Sequence, residues 1–476
     1  MKKWHWVTCF ALIILSTIVI RLGMMTRTPW EWDEPVYTQI SQGVLAHGYP
    51  TIRADPNAVQ GPYLFHPPFH FFLMAGWYQL IGDQSILAGR LLSVLIGTLV
   101  VAMTMLLVYT TTHHLPATAI AGILIGIDGW FTFSSSLVKL DSTALLLGLI
   151  GMYFLHQAQQ RKHFVWGVLA GLFIGGAVIY KHVAIIFVVA AIIHWLLVRQ
   201  QHMRHALVLT VSMIVVISYV LLMVLTWGNT YIQQSTNQLR RSTGENTSRG
   251  LNYGITETVS ALYNTYWAFA GTLIIVGCGG LLALQAAVRP KAQPQIPTVL
   301  VSWCLAAGAS LAAVQLRNPH YLVYLIVPAS CIVAIALVNG LFAISQRVVR
   351  VSMAALIAFM GLHLLTLSLR AVVFDQTNAF LETQKYIMGN ITTTATILSE
   401  EPICALVPNP CYRFGVNASE ARVKSANPQY IVTYTSLTQG PPQTPAILGL
   451  IENGAPIFTT KGWKENIVVL RVPSIQ

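Results

Sequence analysis

Eleven separate apolar runs, each near the length of a bilayer-crossing helix, constrain this chain more than any other feature. A hydrocarbon core takes roughly 17 to 25 apolar residues in a helix. The runs fall at 4–25, 88–111, 115–134, 142–158, 164–180, 183–198, 205–227, 258–288, 297–316, 320–344 and 350–373. With 55% of the 476 residues hydrophobic and 9% charged, no water-soluble fold of this length fits, and the chain reads as an all-α polytopic membrane bundle. A further apolar stretch, 67–82, opens on Pro67-Pro68 and stops at Gly82-Asp83. It is short for a span and reads as an interfacial helix.

The formal charge of +12 does not point to nucleic acid, because Lys and Arg sit in small groups between apolar runs, with no basic helix or aromatic-basic stripe. The excess reads as topology. With eleven spans, Lys2/Lys3, Arg161/Lys162, Arg199/Arg204, Arg289/Lys291 and Arg347/Arg350 all fall on the cytoplasmic side, where no Asp or Glu occurs. Counting 67–82 as a span would scatter those pairs over both faces. The expectation is a multi-pass protein of the cell membrane with a cytoplasmic N-terminus. The first run is too long for a cleaved signal and lacks a small-x-small site, so it reads as an anchor.

Two domains are expected. Residues 1–373 form the transmembrane domain, with external loops at 26–87 and 228–257; residues 374–476 form a small exoplasmic α/β domain. In the tail, QYIVTYTSL (429–437) and NIVVLRV (466–472) are β-rich, GPPQTP and ENGAP are turns, and 376–390 reads as a helix. Cys404 and Cys411, both outside, are suited to pair in an oxidising compartment, whereas Cys9, Cys278, Cys304 and Cys331 read as small hydrophobes in or beside spans.

Ionisable residues beside spans are costly and are candidates for function by default. Here Asp33, Glu34, His66, Arg90, Lys139, Asp141, Lys181, His182, Arg317 and His320 all fall on the exoplasmic side of the expected topology. A phosphate at a membrane surface needs fixed cations, and a hydroxyl nucleophile needs a carboxylate to take its proton. A lipid-phosphate-linked donor presents both needs. Blander readings stand beside this one: a solvated acidic loop for Asp33-Glu34, a helix cap for His66 or Asp141, snorkelling anchors for Lys139 and Arg90, and a bundle partner for Asp128. Asp141 is also placed to pair with Lys139, and Arg240, Arg241 and Arg249 read as a solvated loop or a lid over an anionic donor.

WEWDEPVY (30–37), FHPPFHFFLMAGW (65–77), AGRLLSVLIGTL (88–99), SLVKLDSTALLLGLIGMYFL (136–155), IYKHVAII (179–186) and RNPHYLVYLIVP (317–328) together resemble the successive blocks of GT-C glycosyltransferases. The likeness is to the bacterial members of the family that includes protein O-mannosyltransferases and lipid A aminoarabinose transferases. It covers residues 1 to about 373 in order and spacing.

The resemblance implies Asp33 as catalytic base, Glu34 as a supporting or acceptor-positioning carboxylate, His66 near the donor phosphate, and Arg317, His320 and Tyr321 on the donor head. Lys139 stands where Arg is usual, and His182 where a small residue is usual, which bears on substrate identity. The implied reaction moves a sugar from a polyprenyl-phosphate donor to an exoplasmic hydroxyl of a protein, lipid or glycan, with inversion. No cofactor is required, and support for a divalent metal is weak, since no third acidic ligand accompanies Asp33-Glu34. Membrane lipids are partners and nucleic acid is not. A transporter or flippase of lipid-linked sugars is the alternative; it calls for polar residues deep in several spans and broken helices in matching halves.

Overall fold

The computed structural model describes residues 3–27, 33–52, 62–161, 163–198, 202–243, 270–289, 296–313, 319–343, 379–399, 401–404, 407, 409–413, 427–434, 445–461 and 466–472. The expected span 350–373, Arg249 and Arg317 lie outside the described residues.

Helices follow the apolar runs: α1 (Lys3–Arg27), α2 (Asp33–His47), α3 (Phe69–Ile81), α4 (Ile86–Thr112), α5 (Leu115–Ile127), α6 (Gly129–Ser134), α7 (Asp141–Arg161), α8 (Phe164–Tyr180), α9 (Ile185–Val198), α10 (His202–Thr243), α11 (Ala270–Val288), α12 (Thr298–Ala313) and α13 (Val323–Ala343). Among the described residues, five stretches are long and apolar enough to cross a membrane: Trp4–Thr26, Ile86–Thr112, His202–Gln238, Gly271–Val288 and Val323–Leu341. Shorter apolar helices lie at Leu115–Ile127, Phe164–Tyr180, His182–Val198 and Thr298–Ala312. The 13-residue α3 is about 20 Å long at 1.5 Å per residue, well short of a hydrocarbon core of about 30 Å.

Two helices depart from the expected boundaries. The third run is not one helix: Asp128, at φ −56° and ψ 120°, separates α5 from α6. The seventh does not stop at 227, because α10 continues to Thr243 across a non-helical Gly228 at φ 51° and ψ −129°, a conformation that favours glycine. The expected loop from 228 therefore begins as helix.

The chain divides into two compact units. The first comprises Met1–Met24, Leu64–His70 and Ser93–Ala371; the second comprises Met25–Tyr63, Phe71–Leu92 and Val372–Gln476. In the first unit, α8 presents Gly167, Gly171 and Gly175 at four-residue spacing to α10. A Cβ at Gly171 would lie 2.6 Å from Val211 Cβ and one at Gly175 2.8 Å from Val215 Cβ, so only hydrogen fits this seam. Gly148 of α7 likewise leaves room for the Phe187 ring of α9, which lies 5.3 Å from the Trp303 ring and 6.0 Å from the Tyr324 ring. Leu64 packs with Tyr219, Met223 and Tyr231, and its N–H donates to Gln234 Oε1 at 2.6 Å.

The second unit is built on α2 and a mixed sheet. Helix α2 buries Glu34 through Ser41 without interruption. The tail adds α14 (Ala379–Asn390), β1 (Ile397–Ser399), α15 (Glu401–Cys404), β2 (Cys411–Arg413), β3 (Tyr430–Tyr434), α16 (Pro445–Glu452), β4 (Ala455–Lys461) and β5 (Asn466–Arg471). Strand order is β2-β1-β3-β5-β4, parallel at β1-β2 and β1-β3 and antiparallel thereafter. Ile397, Ile403, Ile431, Val432, Ile467 and Val469 form its fully buried core. A disulfide joins Cys404 to Cys411, and α15 packs on α2.

Candidate functional site

In the second unit, Asp33 and Glu34 open α2, where the first turn of a helix favours negative charge. The two differ sharply. Glu34 is fully buried and receives Arg90 on both oxygens, Nε to Oε1 at 2.8 Å and Nη2 to Oε2 at 2.6 Å. Arg90 Nη1 donates to the Met25 carbonyl at 2.8 Å, so one guanidinium ties the end of α1 to the start of α2. Asp33 is only half-buried. Arg90, expected at the donor phosphate, is 1% exposed and directs Nε, Nη1 and Nη2 to these protein acceptors. Its geometry is that of a structural clasp between Met25 and Glu34.

In the first unit, Asp141 begins α7 and Lys181 caps the C-terminus of α8, where its N–H donates to the Ala177 carbonyl. Lys181 Nζ bonds Asp141 Oδ2 at 2.6 Å and lies 5.0 Å from the centre of the Tyr321 ring. Among the described residues, buried Asp141 Oδ1 has no hydrogen-bond partner. Lys139 is buried at 5% exposure, His66 is half-buried, and the His182 side chain is exposed. His320 lies in the 3₁₀ turn Pro319–Leu322 with Tyr321. Asp141, Lys181 and Tyr321 are thus brought together from three separate stretches of sequence. The expected pairing of Asp141 with Lys139 gives way to one with Lys181, forty residues on.

Sequence reasoning passed over two features of this unit. His70, fully buried at 2% exposure, shares a 2.8 Å hydrogen bond between Nδ1 and Tyr180 Oη. Burial, then the charges of Lys181 and His66, hold the His70 imidazole down to about 3, so it is neutral at physiological pH. The spacing of His66 and His70 in HPPFH was the available signal. Arg21, inside the first apolar run, is also fully buried, and so is Asp128 at 3% exposure. Ionisable residues therefore do not lie at one face alone. Among the described residues, no group of three or more His, Cys, Asp or Glu is arranged to hold a metal.

The same architecture occurs in solved membrane enzymes. The chain superposes on ArnT from Cupriavidus metallidurans bound to undecaprenyl phosphate with a TM-score of 0.64 and 15% identity, covering 98% of each chain. It superposes on the oligosaccharyltransferase AglB from Archaeoglobus fulgidus, in complex with an inhibitory peptide and a dolichol-phosphate, with a TM-score of 0.63 and 13% identity over 92% of this chain and 70% of that one. No curated protein matches the sequence. The fold is that of the GT-C glycosyltransferases. A family model described as dolichyl-phosphate-mannose-protein mannosyltransferase matches residues 65–227.

Proposed function

We propose that this protein is a membrane glycosyltransferase that moves a sugar from a polyprenyl-phosphate donor to an acceptor hydroxyl on the exoplasmic side of about eleven spans. The observation that carries the reading is the fold shared over nearly the whole chain with an enzyme bound to undecaprenyl phosphate, together with the family match over 65–227.

In the proposed step the acceptor oxygen bonds to the anomeric carbon as its proton passes to Asp33. The bond from that carbon to the phosphate oxygen breaks, its electron pair leaves with the lipid phosphate, and configuration inverts. Asp33 suits the base role because it is the half-buried carboxylate of its pair, whereas Glu34 is fully buried against Arg90. Lys181 receives the phosphate, with Lys139, His66, His182, Arg317, His320 and Tyr321 as further donor contacts. Because protein cations meet the departing charge, the step as written needs no metal; activity retained after chelation would support that, and activity lost and restored by a divalent ion would not.

General-base help is typically worth about 10² to 10⁴ in rate. Asp33→Asn should lower transfer by that range while leaving polyprenyl-phosphate binding and melting temperature unchanged. Turnover near wild type would remove Asp33 from the role. Movement of donor lipid across vesicles by Asp33→Asn protein that no longer transfers sugar would favour the transporter reading.

A further inference from the structure

We propose that Arg21 is a positioning residue which, from inside α1, clamps the third apolar run across its break between α5 and α6 and so fixes the segment that delivers Lys139 and Asp141. The inference rests on the reading of Asp141 and Lys181 as groups of the donor-phosphate site.

Breaking a helix at Asp128 frees carbonyls at the end of α5, which cannot be left unsatisfied in an apolar surrounding. Arg21 reaches both sides of that break. Nη1 donates to the Gly126 carbonyl at 3.2 Å, just before it, and Nε donates to Ser135 Oγ at 2.8 Å, at the C-terminal cap of α6. Between these, the guanidinium carbon lies 5.0 Å from the centre of the Phe131 ring in α6 itself. Nη1 also reaches the Thr17 carbonyl of its own helix at 3.4 Å. The three contacts, at 126, 131 and 135, bracket α6 completely.

The seat is shaped for this side chain. A Cβ at Gly97 of α4 would lie 2.7 Å from Ser135 Cβ and 3.1 Å from Arg21 Nε, and one at Gly126 would lie 2.7 Å from Thr17 Oγ1. Asp128 completes the arrangement from the other side: Oδ1 accepts from the Phe131 N–H at 2.7 Å and Oδ2 from Thr272 Oγ1 of α11 at 2.7 Å. A rigid planar fork spans these separated points at once, which a compact ammonium on a flexible stem does not.

The segment after α6 explains why the clamp matters. Ser135 through Leu140 is buried throughout and belongs to no helix or strand, and its start hangs from α6, where the Ser135 and Ser136 N–H groups donate to the Phe131 and Phe133 carbonyls, so its path follows where α6 is held. It carries Lys139 and ends at Asp141, the partner of Lys181. An apolar residue in place of Arg21 would avoid burying a charge whose Nη2 has no hydrogen-bond partner among the described residues. The clamp is the function that offsets that cost.

Arg21→Met and Arg21→Lys, made in the full chain in lipid nanodiscs, test this by amide hydrogen exchange and by affinity for polyprenyl phosphate. Arg21→Met should speed exchange over 135–141 about tenfold with α7 and α8 at wild-type rates, and Arg21→Lys should fall between. It should also weaken polyprenyl-phosphate affinity about tenfold, with no further loss when added to Lys181→Gln, since residues acting through one element are not additive. Wild-type exchange over 135–141, uniformly faster exchange in both variants, or additive losses would overturn the clamp. If Lys181→Gln alone leaves lipid-phosphate affinity unchanged, the reading of the phosphate site fails, and exchange over 135–141 still decides whether Arg21 holds the segment.

Discussion

Arg90 and Lys181 both sit in buried ion pairs, one in each unit, but they use their cations differently. Arg90 gives two nitrogens to the two oxygens of Glu34 and a third to the Met25 carbonyl. Among the described residues, Lys181 Nζ makes one hydrogen bond, to Asp141 Oδ2, and Oδ1 of that carboxylate has no hydrogen-bond partner. The first pair is closed on itself. The second keeps donor capacity on an ammonium that rests on the Tyr321 ring, which is what a site needs if a phosphate is to enter it. Buried charge alone therefore does not mark a binding site; unspent hydrogen-bonding capacity separates the clasp from the proposed phosphate receptor.

The largest expected effect is on the closed pair. Arg90→Ala leaves Glu34 buried without its cation, which typically costs about 3 to 5 kcal/mol, and should appear as a large fall in melting temperature. A combined Arg90→Met and Glu34→Gln change should recover part of it. If the single change left stability intact and only weakened donor binding, the contrast between the pairs would break.

Lys181→Gln is expected to be milder for the fold, because Asp141 sits in the first turn of α7, where the helix end offsets negative charge. Its main effect should be on polyprenyl-phosphate affinity, about tenfold, or about 1.4 kcal/mol. A melting-temperature loss as large as that of Arg90→Ala, with affinity kept, would make both pairs structural.

At neutral pH the smallest effect is at His70, whose contribution shows only on acidification. His70, near Lys181, takes a proton at about 3 in the folded chain, against 6.5 for an ordinary imidazole. Its contribution to stability is thus full above about pH 6.5 and is lost as pH falls toward 3, where the unfolded chain binds the proton more readily. His70→Gln should flatten that acid limb in melting measurements, and an unchanged limb would show that His70 is not the group responsible.

Much of the architecture was legible because bilayer helices and half-buried strands write simple periods. The runs 4–25, 88–111 and 164–180 became Lys3–Arg27, Ile86–Thr112 and Phe164–Tyr180, and the β-rich run 466–472 became Asn466–Arg471. The break at Asp128 was not legible, since an acid within an apolar run reads as a buried partner before it reads as a cap. Nor was the extension of α10, because Gly228 is a helix terminator unless the chain resumes beyond it. The candidate site residues were legible as types on one expected face, but their partners were not. Glu34 with Arg90 and Asp141 with Lys181 are separated by 56 and 40 residues, and only the packed bundle decides which cation meets which carboxylate. Arg21 was hidden by its surroundings, one charge in a strongly apolar run.

The disulfide in the tail carries a consequence for the order of synthesis. Cys404 and Cys411 are seven residues apart, and Cys411 opens β2, the strand that pairs with β1. Closing so short a loop takes on the order of 10 to 100 ns, while chain growth adds about 5 to 20 residues per second. The two thiols can thus meet, and the β1-β2 pair can form, before β3, β4 and β5 have left the ribosome. The remaining strands then join an edge that is already in place.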